Sequence, residues 1–368
     1  MGTEKGAAES SVEVSEDETA MARVSDATVA PNIGRVLAGR YEILRFLGEG
    51  GMGVVYEAQH LTIGKRVAVK IMSKVAHLEG EANARFLREA RAASLVDSEH
   101  IAQVYDVGED LHAGLYMILE LLRGEDLATR IGRKERLDPG EAIEIALQAC
   151  DGLIAAHAAG IVHRDLKPAN IFLCRRDDGA VRVKLIDLGI AKLTEVADDE
   201  PAPAKITRTH GAVGTLEYMS PEQAQGLDSV GPSTDLYSLG AVLYEMIVGV
   251  VPFPQLGTTA QTLVKVVTQD APRLSASADV DPRLDALVAE LLAKDPSARP
   301  ASAVVLRARL SEMAPDMRAS SGRLAATSIA VLGSNTPAEG LPSHAQHERA
   351  ARTLGRYRLF ARLGRGGM

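Results

Sequence analysis

Only two cysteines, Cys150 and Cys174, occur in the 368 residues. They lie far apart in sequence and match neither a disulfide framework nor a metal-ligand spacing, so both read as buried apolar residues in a reducing compartment. Excess positive charge is also missing, since 41 Lys and Arg stand against 49 Asp and Glu for a formal net charge of −8. Phosphate backbones select basic surfaces, and nucleic acid is therefore not expected as a partner. No apolar run approaches the roughly 20 residues of a membrane span. The longest candidate, Leu324 to Leu332, is interrupted by Thr327 and Ser328. The opening residues include Glu4, Lys5 and Glu9 and lack the apolar stretch of a signal peptide. A cytoplasmic location is the expectation. With 46% hydrophobic residues, the chain is large enough to bury a two-lobed core and still carry flanking segments.

What is present is the run His163-Arg164-Asp165-Leu166-Lys167-Pro168-Ala169-Asn170, followed by Asp187-Leu188-Gly189. Phosphoryl transfer needs one carboxylate to orient the attacking hydroxyl and oxygen ligands to hold magnesium. Asp165, Asn170 and Asp187 can fill those places. A His-Arg-Asp tripeptide is common by chance in charged loops, whereas the eight-residue run is not. Upstream, Gly48-Glu49-Gly50-Gly51-Met52-Gly53 would let backbone amides close over phosphates without Cβ interference. The flanking runs Tyr41 to Phe46 and Val54 to Ala58 read as strands. A dinucleotide-binding fingerprint would open a helix there, so that reading loses. Val67-Ala68-Val69-Lys70 is a β-branched strand whose lysine could grip phosphates. Glu89, on the helical pattern from Arg85 to Ala93, is its expected ion-pair partner.

With these motifs in this order, the sequence resembles the eukaryotic-like (Hanks-type) Ser/Thr protein kinases, and the stretch Gly48 to Tyr56 is similar to their bacterial branch. The resemblance spans about residues 38–311. It implies an α+β bilobal protein-kinase fold, with an antiparallel β-sheet N-lobe carrying one main helix (about 38–121) and a mostly α-helical C-lobe (about 122–311). It also implies transfer of the ATP γ-phosphoryl group, with Mg2+, to serine or threonine hydroxyls of protein substrates. On that resemblance Asp165 is the catalytic base, Lys167 contacts the γ-phosphate, Lys70 and Glu89 form the ion pair, and Asn170 and Asp187 bind magnesium. The implied ATP site comprises Leu47, Gly48, Gly50, Gly51, Gly53, Val55, Ala68, Lys70, Leu119, Glu120, Leu122, Asn170 and Phe172. Leu119 would sit behind the adenine, with the Glu120 carbonyl and the Leu122 amide at its edge. Asp187-Leu188-Gly189 departs from the usual Asp-Phe-Gly, and Leu188 keeps an apolar plug. Ser220-Pro221-Glu222 stands where the family has Ala-Pro-Glu, implying a Glu222–Arg299 pair, and Asp235 resembles the residue that holds the catalytic loop from below.

In the C-lobe, Asp138-Pro139-Gly140-Glu141 signals a helix start with proline at the first helical position. Ile143, Leu147, Cys150, Ile154 and His157 recur at helical spacing and predict its buried face, which makes His157 a core histidine. A second buried helix is predicted from about Asp235 to a stop at Gly249. Between Asp187 and Glu222 no periodicity holds, as in a functional loop. The segment resembles an activation loop, with Thr207 and Thr209 at the phosphorylated positions, Arg164 as the phosphate partner, and Thr215 touching Asp165 and Lys167. A homodimer would serve trans-autophosphorylation.

Three further segments complete the reading. Residues 1–37 are an acidic tail expected to be disordered, and 312–354 a flexible linker. Residues 355–368, Gly355-Arg356-Tyr357 through Gly366-Gly367-Met368, repeat 39–52 in register. They read as the start of a second, truncated kinase domain, with no strand to pair with. A pseudokinase scaffold and a small-molecule phosphotransferase remain as alternatives. The first would lack one of Lys70, Asp165, Asn170 or Asp187, and the second needs no peptide-docking segment.

Overall fold

The strands predicted around the glycine-rich run sit inside a six-stranded antiparallel sheet. The computed structural model describes residues 32–50, 53–72, 87, 90, 91, 93–176, 178–188, 216–226 and 230–316, and two short strands near the C-terminus. The sheet contains β1 (Val36–Leu37), β2 (Tyr41–Gly50), β3 (Gly53–His60), β4 (Arg66–Met72), β5 (Val104–Asp110) and β6 (Gly114–Glu120), in the order β1-β2-β3-β4-β6-β5. Side chains alternate across β4, so Val67, Val69 and Ile71 join Tyr56, Ala58 and Ile118 in one apolar cluster. The same alternation turns Ala68 and Lys70 to the opposite face. Gly53, at φ +148°, packs where a Cβ would lie 2.2 Å from the Ile71 carbonyl oxygen, so only glycine fits.

The second lobe begins with β7 (Gly124–Asp126), which pairs with β8 (Ile171–Arg175), and β8 with β9 (Val181–Leu185), all antiparallel. Its helices are α1 (Leu127–Lys134), α2 (Pro139–Ala158), α3 (Pro221–Ala224), α4 (Pro232–Val248), α5 (Thr259–Thr268), α6 (Pro282–Leu291) and α7 (303–316). The α2 start is as predicted, with Asp138 accepting from the Gly140 N–H at 2.9 Å. Its buried face includes the predicted Ile143 and Cys150 but extends beyond the predicted set. Leu147, Ile154 and His157 are only half-buried, while Ala142, Ala146, Ala149, Leu153 and Ala156 are buried. Helix α2 packs on α4 and β9, where close approach needs little side chain, so the buried face is wider than a reading weighted to large residues predicts. Helix α4 buries thirteen of its 17 residues and has no solvent face to pattern. Both thiols have their pKa pushed up, chiefly by burial, which disfavours the reactive thiolate.

One expected boundary and one expected absence need correction. The linker placed from residue 312 begins later, because α7 runs to 316. Ala303, Leu306, Leu310 and Met313 make one buried stripe, and Arg307 and Arg309 pair with Asp151 of α2 and Glu290 of α6. The chain divides into two units, Met1–Gly322 and Arg323–Met368. In the second, the strand expected to lack a partner has one, since β10 (Thr353–Leu354) pairs antiparallel with β11 (Tyr357–Arg358). Tyr357 opens its strand as Tyr41 opens β2. The acidic tail at 1–31 lies outside the described residues.

Helix α4 stops at Gly249, whose φ is +91° and whose added Cβ would stand 2.5 Å from the Glu135 carbonyl oxygen. Gly249→Ala should therefore lose at least about 2 kcal/mol, combining left-handed strain with a backbone clash. Urea unfolding with an unchanged m-value checks this; a midpoint equal to wild type would contradict it.

Candidate active site

Asp235, in the first turn of α4, is fully buried and organises the loop that carries Asp165. Its Oδ2 accepts from the His163 N–H and its Oδ1 from the Arg164 N–H, each at 2.8 Å. His157 Nε2 lies 2.8 Å from Oδ2, which gives this half-buried histidine a polar partner in the core. Arg164 adopts φ +59° and Asp187 φ +57°, a conformation that disfavours side-chain-bearing residues and marks both as held by their surroundings. Asp165 then points its carboxyl group to Lys167 Nζ at 2.9 Å and to Asn170 Nδ2 at 3.1 Å. The Asn170 amide also donates to the Asp165 carbonyl at 2.7 Å.

The β8–β9 pairing brings the second carboxylate alongside. Ile171 faces Leu185, and the Ile186 N–H donates to the Asn170 carbonyl at 3.0 Å. The Ile186 carbonyl lies 3.1 Å from His163 Nε2, and because a carbonyl can only accept, that nitrogen carries a hydrogen. Asn170 and Asp187 therefore flank one strand pair. Lys70 reaches across from β4 to Asp187 Oδ1 at 2.7 Å. Its expected partner Glu89 lies outside the described residues.

A cavity of about 290 Å³ opens between the lobes. Of the residues expected around ATP, Leu47, Gly48, Val55, Ala68, Lys70, Leu119, Glu120, Leu122 and Phe172 line it, and Asp187 joins them. Gly50, Gly53 and Asn170 do not. Gly53 instead packs on β4, and Gly51 lies outside the described residues. Unforeseen lining comes from Ala93, Ala102, Val104 and Leu185, brought together only by packing of distant segments. Leu188 is buried against Met72, Ala90 and Ala93, an apolar plug as its residue type suggested. Lys184 was also missed. It bonds Glu120 Oε2 at 2.9 Å and ties the strand leading to Asp187 to the crossing between the lobes.

Beyond Asp165, Arg299 grips Glu222 in a buried two-pronged pair at 2.7 and 2.9 Å. Burial alone would raise the Glu222 pKa, but the Arg299 hydrogen bonds and charge, with a Thr234 hydroxyl bond at 2.8 Å, hold it below the usual range. Thr207, Thr209 and Thr215 lie outside the described residues.

A curled antiparallel sheet above a helical lobe, with the Lys70–Asp187 pair beside an anchored Asp165, defines the protein-kinase class of fold. The chain belongs to the protein kinase domain family, which its residues 41–310 match. It is 36% identical over 305 residues to the serine/threonine-protein kinase pkn3 of Myxococcus xanthus, covering 82% of this chain and 55% of that one. With Pkn1 of the same organism it shares 38% over 332 residues, 89% of this chain and 45% of the relative. PknA of Mycobacterium tuberculosis matches at 36% over 275 residues, 74% and 60% of the two chains. This chain thus spans about half the length of the curated relatives it matches. Among solved structures it is similar to the kinase domain of M. tuberculosis PknI, with a TM-score of 0.60 and 28% identity over 77% of this chain and 98% of that domain.

One half-buried acid here has its pKa moved into the neutral range. Glu245 of α4 accepts from the Tyr218 hydroxyl at 2.6 Å. Burial pushes its carboxyl up to about 7, with the Glu217 charge adding and the Tyr218 bond opposing. The folded chain then keeps a proton that the unfolded chain gives up above its ordinary value of 4.5. This contribution to stability is complete below pH 4.5 and lost as pH climbs through about 7. Glu245→Gln removes the titration and keeps an acceptor for Tyr218. The variant should exceed wild type by on the order of 3 kcal/mol at pH 8 and match it near pH 4.5. Urea unfolding at both pH values checks it, and a gap independent of pH would contradict it.

Proposed function

We propose that this chain is an ATP-dependent serine/threonine protein kinase with Asp165 as the base. The observation that carries the reading is the Lys70–Asp187 pair on the wall of the 290 Å³ cavity, tied through Ile186 to the loop that carries the buried, doubly contacted Asp165. The apolar walls from Val55, Ala68, Leu119 and Phe172 suit an adenine, and the Glu120 carbonyl and Leu122 amide offer it an edge. Lys70 would hold the α- and β-phosphates. Asp165 would accept the proton of a serine or threonine hydroxyl while that oxygen bonds the γ-phosphorus. The bond from γ-phosphorus to the bridging oxygen breaks with its electron pair on ADP. Lys167, already beside Asp165, would meet the charge on the transferred group.

The oxygens of Asn170 and Asp187 are too few for a closed metal cage, and they match magnesium, which takes one or two protein carboxylates and completes its shell with phosphate oxygens and water. Bound there, it would neutralise charge on the phosphates. Thr215 is the proposed contact to the acceptor, and Thr207 and Thr209 the proposed autophosphorylation sites. Phosphates there would have the charge to pair with Arg164, whose backbone is fixed beside the base. Transfer between two copies would accomplish it. The location we infer is the cytoplasm; among the described residues no helix is long and apolar enough to cross a membrane. The 355–368 repeat, whose β11 pairs with β10 just before it, supports reading this segment as the opening strand of a second kinase domain.

Asp165→Asn and Asp187→Asn should each lower transfer from radiolabelled ATP to a serine- and threonine-containing peptide at least about 100-fold, with folding intact. Near-wild-type incorporation by either folded variant would refute the assignment. Thr207→Ala with Thr209→Ala should lower peptide turnover several-fold while the KM for ATP holds. Unchanged peptide kinetics in the double variant would remove the regulatory reading.

A further inference from the structure

Arg164 stands in the left-handed region at φ +59°, which costs a residue with a side chain about 1–2 kcal/mol. Such a conformation persists only where neighbours over-determine it. Both backbone polar groups of Arg164 are held, and by different elements. Its N–H donates to Asp235 of α4 at 2.8 Å. Its carbonyl accepts from Gln223 Nε2 of α3, also at 2.8 Å.

The other end of the Gln223 side chain is held as well. Its Oε1 accepts from the Ser220 N–H at 3.2 Å and from the Ser220 hydroxyl at 3.3 Å. Ser220 in turn caps α3, completing a capping box. The amide has only one sensible orientation, because the Arg164 carbonyl cannot donate and the Ser220 N–H cannot accept. Only about 10 Å³ of space remains among Arg164, Asp165, Tyr218 and Gln223, no more than one water needs. The Arg164 carbonyl belongs to the peptide that leads into Asp165, so rotating that peptide swings the carboxyl group. Helix α3 itself follows the Leu216–Tyr218 turn and is anchored through Glu222 and Arg299.

We infer that Gln223 is a positioning residue for phosphoryl transfer, fixing the Arg164–Asp165 peptide from the end of the segment that precedes and includes α3. The inference rests on the reading of Asp165 as the base. Gln223 acts through that peptide and touches no reacting atom. Its two ends do separable work: Oε1 completes the cap of α3, and Nε2 holds the catalytic loop.

That separation supplies the test. Gln223→Glu keeps the capping acceptor and loses the donor, and Gln223→Met loses the donor without adding charge. Wild type, both variants and Asp165→Asn are assayed with ATP and a Ser/Thr peptide, alongside thermal unfolding. Both Gln223 variants should lose kcat by about 10-fold or more, with the KM for ATP and the melting temperature of Gln223→Glu near wild type. A role confined to the cap predicts full kcat for Gln223→Glu, since Ser-x-x-Glu caps equally well. That result would overturn the proposal, as would losses that only follow the folded fraction or the KM for ATP. If wild type transfers no more phosphate than Asp165→Asn, the assignment of the base fails instead, and the inference with it.

Discussion

The buried carboxyl group of Asp235 is the constraint on which the rest of the site depends. A polar group of this kind inside a protein is strongly unfavourable unless its lone pairs are used. Here the His163 and Arg164 N–H groups and the His157 ring occupy them. The dependence runs both ways, because those two N–H groups would themselves be stranded without Asp235. The left-handed turn at Arg164 is held on its N–H side by this one side chain and on its carbonyl side by Gln223.

Helix α4 extends that control to the other side of the site. From its first turns, Thr234 bonds Glu222, the Ser233 carbonyl accepts from Arg299, and Ser238 donates to the Tyr218 carbonyl at 2.8 Å. Farther along, Glu245 meets the Tyr218 hydroxyl. One buried helix therefore sets both the loop carrying the base and the segment leading into α3. This explains why it has no polar face. Every side faces a partner, and four of its polar residues are spent on backbone or buried side-chain bonds rather than on solvent.

The sheet lobe contributes by a simpler rule. Strict alternation along β4 places its branched residues in a closed apolar cluster and leaves Ala68 and Lys70 to the cavity. The small Ala68 makes room, and Lys70 finds Asp187 as counter-charge. The Lys184–Glu120 bond then joins the strand before Asp187 to the end of β6, linking two sides of the cavity.

The sequence alone determined whatever depends on neighbours a few residues away. The β2–β3 hairpin, the Asp138 start of α2, the Gly249 stop of α4 and the spacing of Asp165, Asn170 and Asp187 all follow from local periodicity, capping chemistry or backbone freedom. Even the Gly48 to Gly53 run announced room for close backbone approach, although only packing showed that Gly53 answers to Ile71. Tertiary structure decided the contacts made across long stretches of chain. Gln223 meets Arg164 from 59 residues away, and Lys184 meets Glu120 from 64. The alanine face of α2 and the Ala93 and Ala102 wall of the cavity are likewise choices of packing. A small or amphipathic side chain carries no local signature of what it will touch, because that partner exists only once the elements have docked.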